Sequence, residues 1–362
     1  STRTLSVANL PEDELGNGYE YLIKKFADDS GHTAQEFYTN RTLVQLMTHM
    51  LKPEPGESVY DPTCGTGGML ISAAAELKNQ GKEWRGLRLY GQELNFGTSA
   101  IARMNLFLHG IENGHIHHGN TLDEPKFLDS RGALQTFDVV LANPPYSISN
   151  WNRAAFTSDP FGRNLWGTPP QGRADYAFFQ HIAASLDPTT GRAAILFPHG
   201  ILFRREEAAM RRRLIESDLL ECVLGLGPGL FYNSPMEAVV VTLRANKPAD
   251  QRGKVLFINA VDEYIRRSAQ SFLSDTNQKR ILGAYEAFAD QDGFAAVVDT
   301  DTLLARDGSL AIPLYVTPKK RPETAAEGIN VASAVAAWRQ SSDEADKAVS
   351  NVLALLRSEE AR

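Results

Sequence analysis

The chain has 362 residues, a formal net charge of −7, 43% hydrophobic residues and 22% charged residues. These values are typical of a globular protein with a sizeable core, and the acidic balance argues against tight nucleic-acid binding by this chain alone. The sequence shows no membrane-length apolar run, no signal-peptide pattern and only two cysteines, Cys64 and Cys222. We therefore expect a cytoplasmic protein without a disulfide framework and without membrane contact.

Hydrophobic spacing predicts helices and strands that alternate from residue 37 onward. The predicted helices lie at residues 19–27, 43–51, from 69, 98–109, 175–186 and 206–216. The predicted strands lie at residues 58–60, 88–90, 115–118, 137–141, 193–197, 220–226, 238–243 and 254–258. Alternation of this kind predicts a doubly wound, mostly parallel α/β sheet, and the missing helical pattern between residues 226 and 238 favours an antiparallel closing pair.

Four regions follow from the composition along the chain. Residues 1–34 are predicted to be an N-terminal helical segment, and residues 35–317 form the main domain. Residues 318–330 are rich in charge and proline, as linkers are, and residues 331–362 are predicted to be helical.

A glycine-rich turn, Asp61–Gly68, follows the first strand directly. Glycines let a backbone approach a ligand closely, and ligands bind at the carboxyl ends of strands in open α/β sheets. An acidic residue in this turn suits a cationic ligand, such as the sulfonium and ammonium of S-adenosylmethionine, better than a pyrophosphate. Glu93, at the end of the second strand, can accept hydrogen bonds from ribose hydroxyls. The alternative for the glycine turn is a plain strand-to-helix connection. The alternative for Glu93 is a solvated loop carboxylate.

The motif Asn143-Pro144-Pro145-Tyr146 follows the strand predicted at residues 137–141. An amine conjugated to an aromatic ring is a poor nucleophile. The Asn143 side-chain oxygen and the Pro144 carbonyl could accept its two N–H groups and direct its lone pair at a methyl donor. Tyr146 could stack on a base turned out of its helix. The alternative is a proline-rich turn after a core strand.

These motifs, with Glu36-Phe37-Tyr38-Thr39 upstream, resemble the adenine-N6 DNA methyltransferases, specifically the modification subunit of type I restriction-modification systems. The resemblance covers about residues 19–316 and includes Asp175–Phe179 and Phe197–Arg204. It implies a Rossmann-like fold of the S-adenosylmethionine-dependent methyltransferase type with a C-terminal helical tail. It also implies methyl transfer from S-adenosylmethionine to the N6 amino group of adenine in DNA.

The resemblance assigns roles by position. The catalytic residues would be Asn143, Pro144 and Tyr146, with no metal. The cofactor-binding residues would be Glu36, Phe37, Tyr38, Thr39, Asp61, Thr63, Gly65, Thr66, Gly67, Glu93, Asn120 and Thr121. The implied partners are double-stranded DNA with a flipped adenine, a DNA specificity subunit that binds two methyltransferase subunits, and a restriction subunit.

The sequence departs from the common family pattern in two places. Asn120 stands where aspartate is frequent, and Asn40 stands where proline is usual. The family also usually has a helical domain ahead of this region, so we expect either a fragment or a short relative.

Two other kinds of function stay open. The same Asn-Pro-Pro-Tyr chemistry serves methyltransferases that act on a protein glutamine amide or on guanine amines in RNA. An inactive methyltransferase-fold scaffold is the non-enzymatic alternative, and the intact motif residues argue against it.

Several further features have competing interpretations. His115, His117 and His118 could suggest zinc, but a solvated strand end fits better because a fourth ligand is not evident. Cys64 is expected to be a packed residue, and the arginines at 204–213 to form a salt-bridged solvent face. Residues 147–173 carry aromatics interleaved with arginines, which suits base stacking and phosphate contact, with a flexible excursion as the alternative.

The C-terminal segment carries the pattern of a packed helix. Ser341 and Glu344 have capping-box spacing, and the apolar seam that follows consists of Ala345, Val349, Val352 and Leu356. We expect this helix to dock a partner; packing on the chain's own catalytic domain is the alternative.

Overall fold

A computed structural model describes residues 12–29, 39–230, 237–267 and 270–317. These residues belong to a unit that extends to Pro318, and a second unit, Lys319–Arg362, lies outside the described residues. The predicted linker and C-terminal helix therefore lie outside them too, as do Glu36, Phe37 and Tyr38 of the predicted site.

The centre of the described part is a nine-stranded sheet with a separate two-stranded hairpin. The strands are β1 (Ser58–Asp61), β2 (Arg88–Glu93), β3 (His115–His118), β4 (Val139–Ala142), β5 (Arg192–Pro198), β6 (Leu220–Leu226), β7 (Ala238–Arg244), β8 (Lys254–Ala260), β9 (Ile265–Arg267), β10 (Gln270–Phe272) and β11 (Ala295–Asp299).

The strand order of the large sheet is β11-β8-β6-β7-β5-β4-β1-β2-β3. β3, β2, β1, β4 and β5 are parallel, β7 runs antiparallel between β5 and β6, and β6 pairs in parallel with β8. The carboxyl ends of β1, β2, β4, β5, β6 and β8 therefore meet at one edge of the sheet.

Helices flank the sheet. They are α1 (Glu12–Asp29), α2 (Arg41–Leu51), α3 (Gly68–Asn79), α4 (Phe96–Leu108), α5 (Arg153–Thr157), α6 (Asp175–Ala184), α7 (Ala208–Glu216), α8 (Asp275–Ala287) and α9 (Thr300–Ala305). Short 3-10 helices occur at His199–Leu202, Arg205–Glu207 and Ile312–Leu314. Within the residues that the structure describes, every helix is too short or too polar to span a lipid bilayer.

Apolar cores lie on both faces of the sheet. β1, β4, β5 and β6 are buried along their whole lengths, which is the pattern of strands covered on two sides. One core contains Leu43, Leu46 and Met47 of α2, and the other contains Phe179 of α6 and Phe257 of β8. The α2 stripe faces inward because its apolar residues recur at helical spacing.

The predicted fold class is confirmed. Each predicted strand is present, the helices match to within a few residues apart from the longer α1, and the 220–226 and 238–244 pair is antiparallel. The structure adds α5, the β9–β10 hairpin, α8, β11 and α9, which were not predicted from the sequence. Asn40 caps α2, because its side-chain oxygen accepts the Thr42 backbone N–H at 3.0 Å.

Candidate active site

A cavity of about 340 Å³ opens at the carboxyl edge of the sheet. Asp61, Thr63, Cys64, Gly65 and Thr66 of the glycine turn line it. Other parts of the wall come from α1, α2 and α3, and Thr39 and Asn143 complete it. The cavity thus brings together residues from the first and last of the predicted motifs, although they are far apart in sequence.

Local geometry explains the glycines of this turn. Gly65 and Gly67 have φ angles of +52° and +82°, in the left-handed region that favours glycine. The turn is closed by a hydrogen bond from the Gly67 N–H to the Cys64 carbonyl at 2.8 Å. The Cys64 N–H in turn donates to the Gln92 carbonyl at 3.0 Å, which ties the turn to β2.

Gly67 serves packing between helices. A Cβ at this position would lie 2.7 Å from Cδ1 of Leu106 in α4, so a side chain would collide with that helix. The predicted role of Gly67 in cofactor binding stays a prediction. In the glycine turn, Gly65 and Gly68 line the cavity.

Asp61 is a buried acid at the end of β1, with 2% of its surface exposed. Loss of hydration raises its pKa from 3.8 to about 8, and the nearby negative charge of Glu93 adds to the shift. A backbone N–H from Thr63, 3.0 Å from Asp61 Oδ1, partly opposes it. A cation bound beside this carboxyl would favour its ionised form, so the donor set fits a cationic ligand.

Glu93 supports the glycine turn from β2. Its Oε2 accepts the Gly65 N–H at 3.0 Å, and its Oε1 accepts the Asn95 N–H at 2.8 Å. Each carboxylate oxygen has a second lone pair, so acceptance from a ribose hydroxyl stays chemically possible. Its predicted role in ribose binding stays a prediction.

Asn120 and Thr121 form the neighbouring turn after β3. The Asn120 side chain is engaged within that turn, accepting from the Leu122 N–H at 3.0 Å and donating to Asp123 at 2.7 Å. Thr121 donates from its hydroxyl to the Pro62 carbonyl at 2.6 Å. This bond joins the turn to the glycine-rich motif, while the predicted contacts with the cofactor adenine stay predictions.

Asn143 holds a fixed amide orientation beside the cavity. Its Nδ2 donates to the Thr39 hydroxyl at 3.0 Å, and its Oδ1 accepts the Tyr146 hydroxyl proton at 2.7 Å. Loss of hydration, with the charge of Asp175, raises the pKa of Tyr146, so this phenol stays a donor. Pro144 is buried and Pro145 is exposed, so the motif sits between core and solvent.

A buried acid supports the turn that follows Tyr146. Ser147 has a φ of +50°, which is unusual for a residue with a side chain. Its N–H donates to Asp175 Oδ1 at 2.7 Å, and Arg204 Nη1 donates to Asp175 Oδ2 at 2.6 Å. The Asp175 side chain is fully buried, so the Arg204 charge compensates it. This support was not predicted from the sequence, although Asp175 and Arg204 lie in the two segments that carry the family resemblance.

The segment 147–173 differs from its predicted role. Trp151, Phe156 and Trp166 are buried at 7%, 2% and 3% exposure, so they pack inside the protein and cannot stack on a base. The prediction of stacking is wrong for these three residues. The flexible alternative does not hold either, because the segment contains α5 and is tied down by hydrogen bonds.

Arg163 is the anchor of that segment. It forms a salt bridge with Asp159 at 2.6 Å, and the two side chains are 2% and 1% exposed. Its guanidinium also donates to the Thr121 and Leu122 carbonyls at 2.8 and 2.7 Å. The segment is thereby fastened to the turn beside the cavity, and Arg163 is not available to contact phosphate.

The remaining features mostly have structural roles. Arg211 is buried and donates to the Arg204 carbonyl at 2.6 Å, so the 204–213 arginines are only partly a solvent face. Burial raises the pKa of the Cys64 thiol, which keeps it protonated and a poor nucleophile. In the described ranges, no cluster of three His, Cys, Asp or Glu residues is arranged to hold a metal ion.

Comparisons with known proteins fit this arrangement. The family model described as N-6 DNA Methylase matches residues 11–324. The type I restriction enzyme MjaVIII methylase subunit of Methanocaldococcus jannaschii is 34% identical over 328 residues, covering 86% of this chain and 54% of the relative. The HindI methylase subunit of Haemophilus influenzae is 31% identical over 288 residues, covering 78% and 62%.

A solved structure is also similar. The type I restriction-modification system methyltransferase subunit from Streptococcus thermophilus superposes with a TM-score of 0.77 at 34% identity, covering 86% of this chain and 65% of that one. The chain spans about half the length of the curated relatives it matches, since the first three are covered to 54%, 56% and 55%.

Proposed function

The chain belongs to the N-6 DNA methylase family, and from this membership we propose that it transfers a methyl group from S-adenosylmethionine to N6 of adenine in DNA. One observation carries the proposal. Asn143, which offers an acceptor for an aromatic amine, lines the same cavity as Asp61 and Gly65, which suit a cationic ligand. Donor and acceptor of a methyl group would therefore meet in one place.

The residues around the glycine turn fit the proposed cofactor. When bound, S-adenosylmethionine supplies a methyl group on a positively charged sulfur. Asp61 would bind the cationic amino-acid part and become ionised, and Gly65 and Thr66 would give backbone and hydroxyl contacts. Thr63, Thr121 and Glu36–Thr39 would complete the pocket, with Glu93 at the ribose and Asn120 at the adenine.

Asn143 would prepare the target amine. Because Nδ2 is held by Thr39, Oδ1 is the atom that can accept an N–H of the adenine amine. The Pro144 carbonyl would accept the second N–H, which directs the nitrogen lone pair at the methyl group. The Tyr146 hydroxyl occupies Oδ1 beforehand, so it would be displaced as the base enters and the ring would stack on the base.

We further propose that the chain works as one subunit of a type I restriction-modification complex in the cytoplasm. Its relatives are named methylase subunits of type I restriction enzymes. A DNA specificity subunit would select the sequence and bind two copies of this chain, and a restriction subunit would join them. A chain with a net charge of −7 needs such help to hold DNA.

The test is methyl incorporation by the full chain assembled with its specificity subunit. Radiolabelled S-adenosylmethionine and unmethylated DNA should yield N6-methyladenine, detected by mass spectrometry. Asn143→Ala should keep cofactor affinity in calorimetry and lose roughly two to three orders of magnitude in rate, as expected when one polarising group is removed. Asn164→Ala, in the 147–173 segment, is the matched control and should retain activity.

Two results would contradict the proposal. Label in protein or RNA but not in DNA would assign the same chemistry to another substrate. Near-normal turnover by Asn143→Ala would remove the chemistry from this motif.

A further inference from the structure

The β9–β10 hairpin stands at the same sheet edge as the candidate active site. It follows the carboxyl end of β8, and β8 runs parallel to β6. Its strands pair in antiparallel register, with Arg266 opposite Ser271 and Ile265 opposite Phe272. The hairpin is a separate two-stranded sheet and does not extend the central sheet.

Hydrogen bonds fix β10 and the residue that follows it to Asn40 and Thr42. Asn40 Nδ2 donates to the Ser271 carbonyl at 2.9 Å, and the Leu273 N–H donates to the Thr42 hydroxyl at 3.0 Å. Ser271 is 2% exposed and also donates to the Pro228 carbonyl at 2.8 Å. Asn40 directly follows Thr39, whose hydroxyl accepts from Asn143, so hairpin and motif are held by adjacent residues.

The hairpin is locally basic in an acidic chain. Residues 264–274 contain Arg266 and Arg267 and no acid, whereas the whole chain has a net charge of −7. Arg266 is exposed and forms no ion pair with any residue that the structure describes. The nearest acid in sequence, Glu263, is already paired with Arg280 and accepts from Asn277 at 2.9 Å.

Three arginines near the candidate active site are already engaged. Arg163 and Arg204 compensate buried acids, and Arg213 donates to the Trp166 carbonyl at 2.9 Å. Arg266 therefore differs from these three, because its charge is directed to solvent at the edge where a base would enter.

We propose that the β9–β10 hairpin binds the phosphate backbone of the DNA duplex beside the flipped adenine, with Arg266 as a phosphate contact. This inference rests on the proposed function. A phosphate contact positions the duplex without reading its sequence, which leaves recognition to the specificity subunit. The fixed strand β10, whose Ser271 pairs with Arg266, would hold that contact at a constant distance from Asn143.

The test uses the chain assembled with its specificity subunit and a fluorescent DNA duplex at several NaCl concentrations. Each phosphate neutralised contributes about 0.9 to the slope of log affinity against log salt. Arg266→Ala should lower the slope by about that amount and raise KM for DNA, with kcat at saturating DNA unchanged. Arg266→Lys keeps the charge and should keep the slope.

Arg85→Ala is the matched control. Arg85 is also exposed, but it precedes the amino end of β2, at the opposite edge of the sheet, and its guanidinium lies 4.6 Å from the Trp84 ring centroid. Its replacement should leave slope, KM and kcat unchanged. Cofactor affinity, measured by calorimetry, should be the same in all four proteins.

The outcomes separate this inference from the proposed function. An unchanged slope for Arg266→Ala, with normal methyl transfer by the wild type, overturns the hairpin contact alone. Loss of assembly with the specificity subunit, with an unchanged slope in the assembled fraction, assigns the hairpin to a protein partner and also overturns it. Failure of the wild type to methylate DNA removes the proposed function, whatever the slopes.

Discussion

The ring and the hydroxyl of Tyr146 have different expected roles, stacking on the base for the ring and a hydrogen bond to Asn143 for the hydroxyl. The hydroxyl donates to Asn143 Oδ1 at 2.7 Å, and the side chain is only half-buried. Tyr146→Ala should weaken binding of target DNA by about 1–3 kcal/mol, the usual contribution of one base–aromatic stack. Tyr146→Phe keeps the ring and should bind nearly as well as the wild type. Duplex titrations of the assembled enzyme measure both.

Equal losses in the two Tyr146 variants would point to the hydroxyl and not to stacking. Unchanged binding in Tyr146→Ala would exclude the ring from contact with the target base.

Asp61 makes the stability of the cofactor-free protein depend on pH. Its folded pKa is about 8 against an ordinary 3.8, so between these values the folded protein holds a proton that the unfolded chain has released. The free energy of unfolding should therefore fall as pH rises through this window. Asp61→Asn has no carboxyl to ionise, so its free energy of unfolding should lose this part of the pH dependence.

The measurement is the Tm of wild type and Asp61→Asn, without cofactor, at pH 5 and pH 8. The variant should gain in stability relative to the wild type at the higher pH. Asp301→Asn, at an exposed position in α9, should follow the wild type at both values. An equal change in Tm between pH 5 and pH 8 for wild type and Asp61→Asn would contradict the raised pKa of Asp61.

At the scale of elements, two glycines of the glycine turn allow the effect of packing to be measured separately from that of ligand binding. Gly67→Ala combines a φ of +82° with a 2.7 Å approach to Leu106 and should cost about 2 kcal/mol in urea unfolding. Gly68→Ala is the control, because its Cβ meets nothing within 4 Å. It should leave stability unchanged or slightly higher.

Cofactor calorimetry on the same two glycine variants completes the test. A Gly67→Ala protein of normal stability that no longer binds cofactor would show that Gly67 is needed for ligand binding and not for packing.

The alternating elements could be predicted because buried strands and amphipathic helices leave strong apolar patterns. The region after β8 could not, for physical reasons. β9 and β10 have three residues each, too few to show alternation. In α8 the buried positions are only Gln278, Ile281, Ala284 and Tyr285, a weak stripe, although Ser274 and Asn277 form a capping box that marks its start.

The segment 147–173 shows the same limit. Without periodicity, a sequence does not reveal which aromatics are buried, so Trp151 and Trp166 could be assigned equally to a core or to a base. Their burial follows from contacts with residues elsewhere in the chain, as in the edge-to-face contact of the Trp166 ring with Phe179, with ring centroids 5.4 Å apart.

The site residues could be predicted where a short sequence pattern contains them. Asp61 ends β1 and Asn143 directly follows β4, and the carboxyl ends of parallel strands meet at one edge of a sheet. The support of Ser147 by Asp175 and of Asp175 by Arg204 spans 28 and 29 residues. No short pattern encodes those partners, because the fold alone brings them together.

At the scale of the whole molecule, we expect residues 331–362 to join this chain to its partner. Deleting them should leave cofactor binding intact and abolish assembly with the specificity subunit, because the seam at Val349 and Val352 would be lost. Val349→Asp in the full chain should have the same effect, and Ser350→Ala, off the seam, should have none. Co-purification and calorimetry measure the two properties.

Normal assembly and methylation by the truncated protein would contradict partner docking. A truncated protein that melts without binding cofactor would assign the helix to the core of this chain.

The position of β7 has a consequence for biosynthesis. In the described sheet, β7 alone connects β5 to β6, and all three strands are almost entirely buried. Until residue 244 has left the ribosome, the nascent chain carries two apolar strands with unpaired edges, which are prone to aggregate. Productive folding should therefore be late and should depend on chaperones when translation is slow.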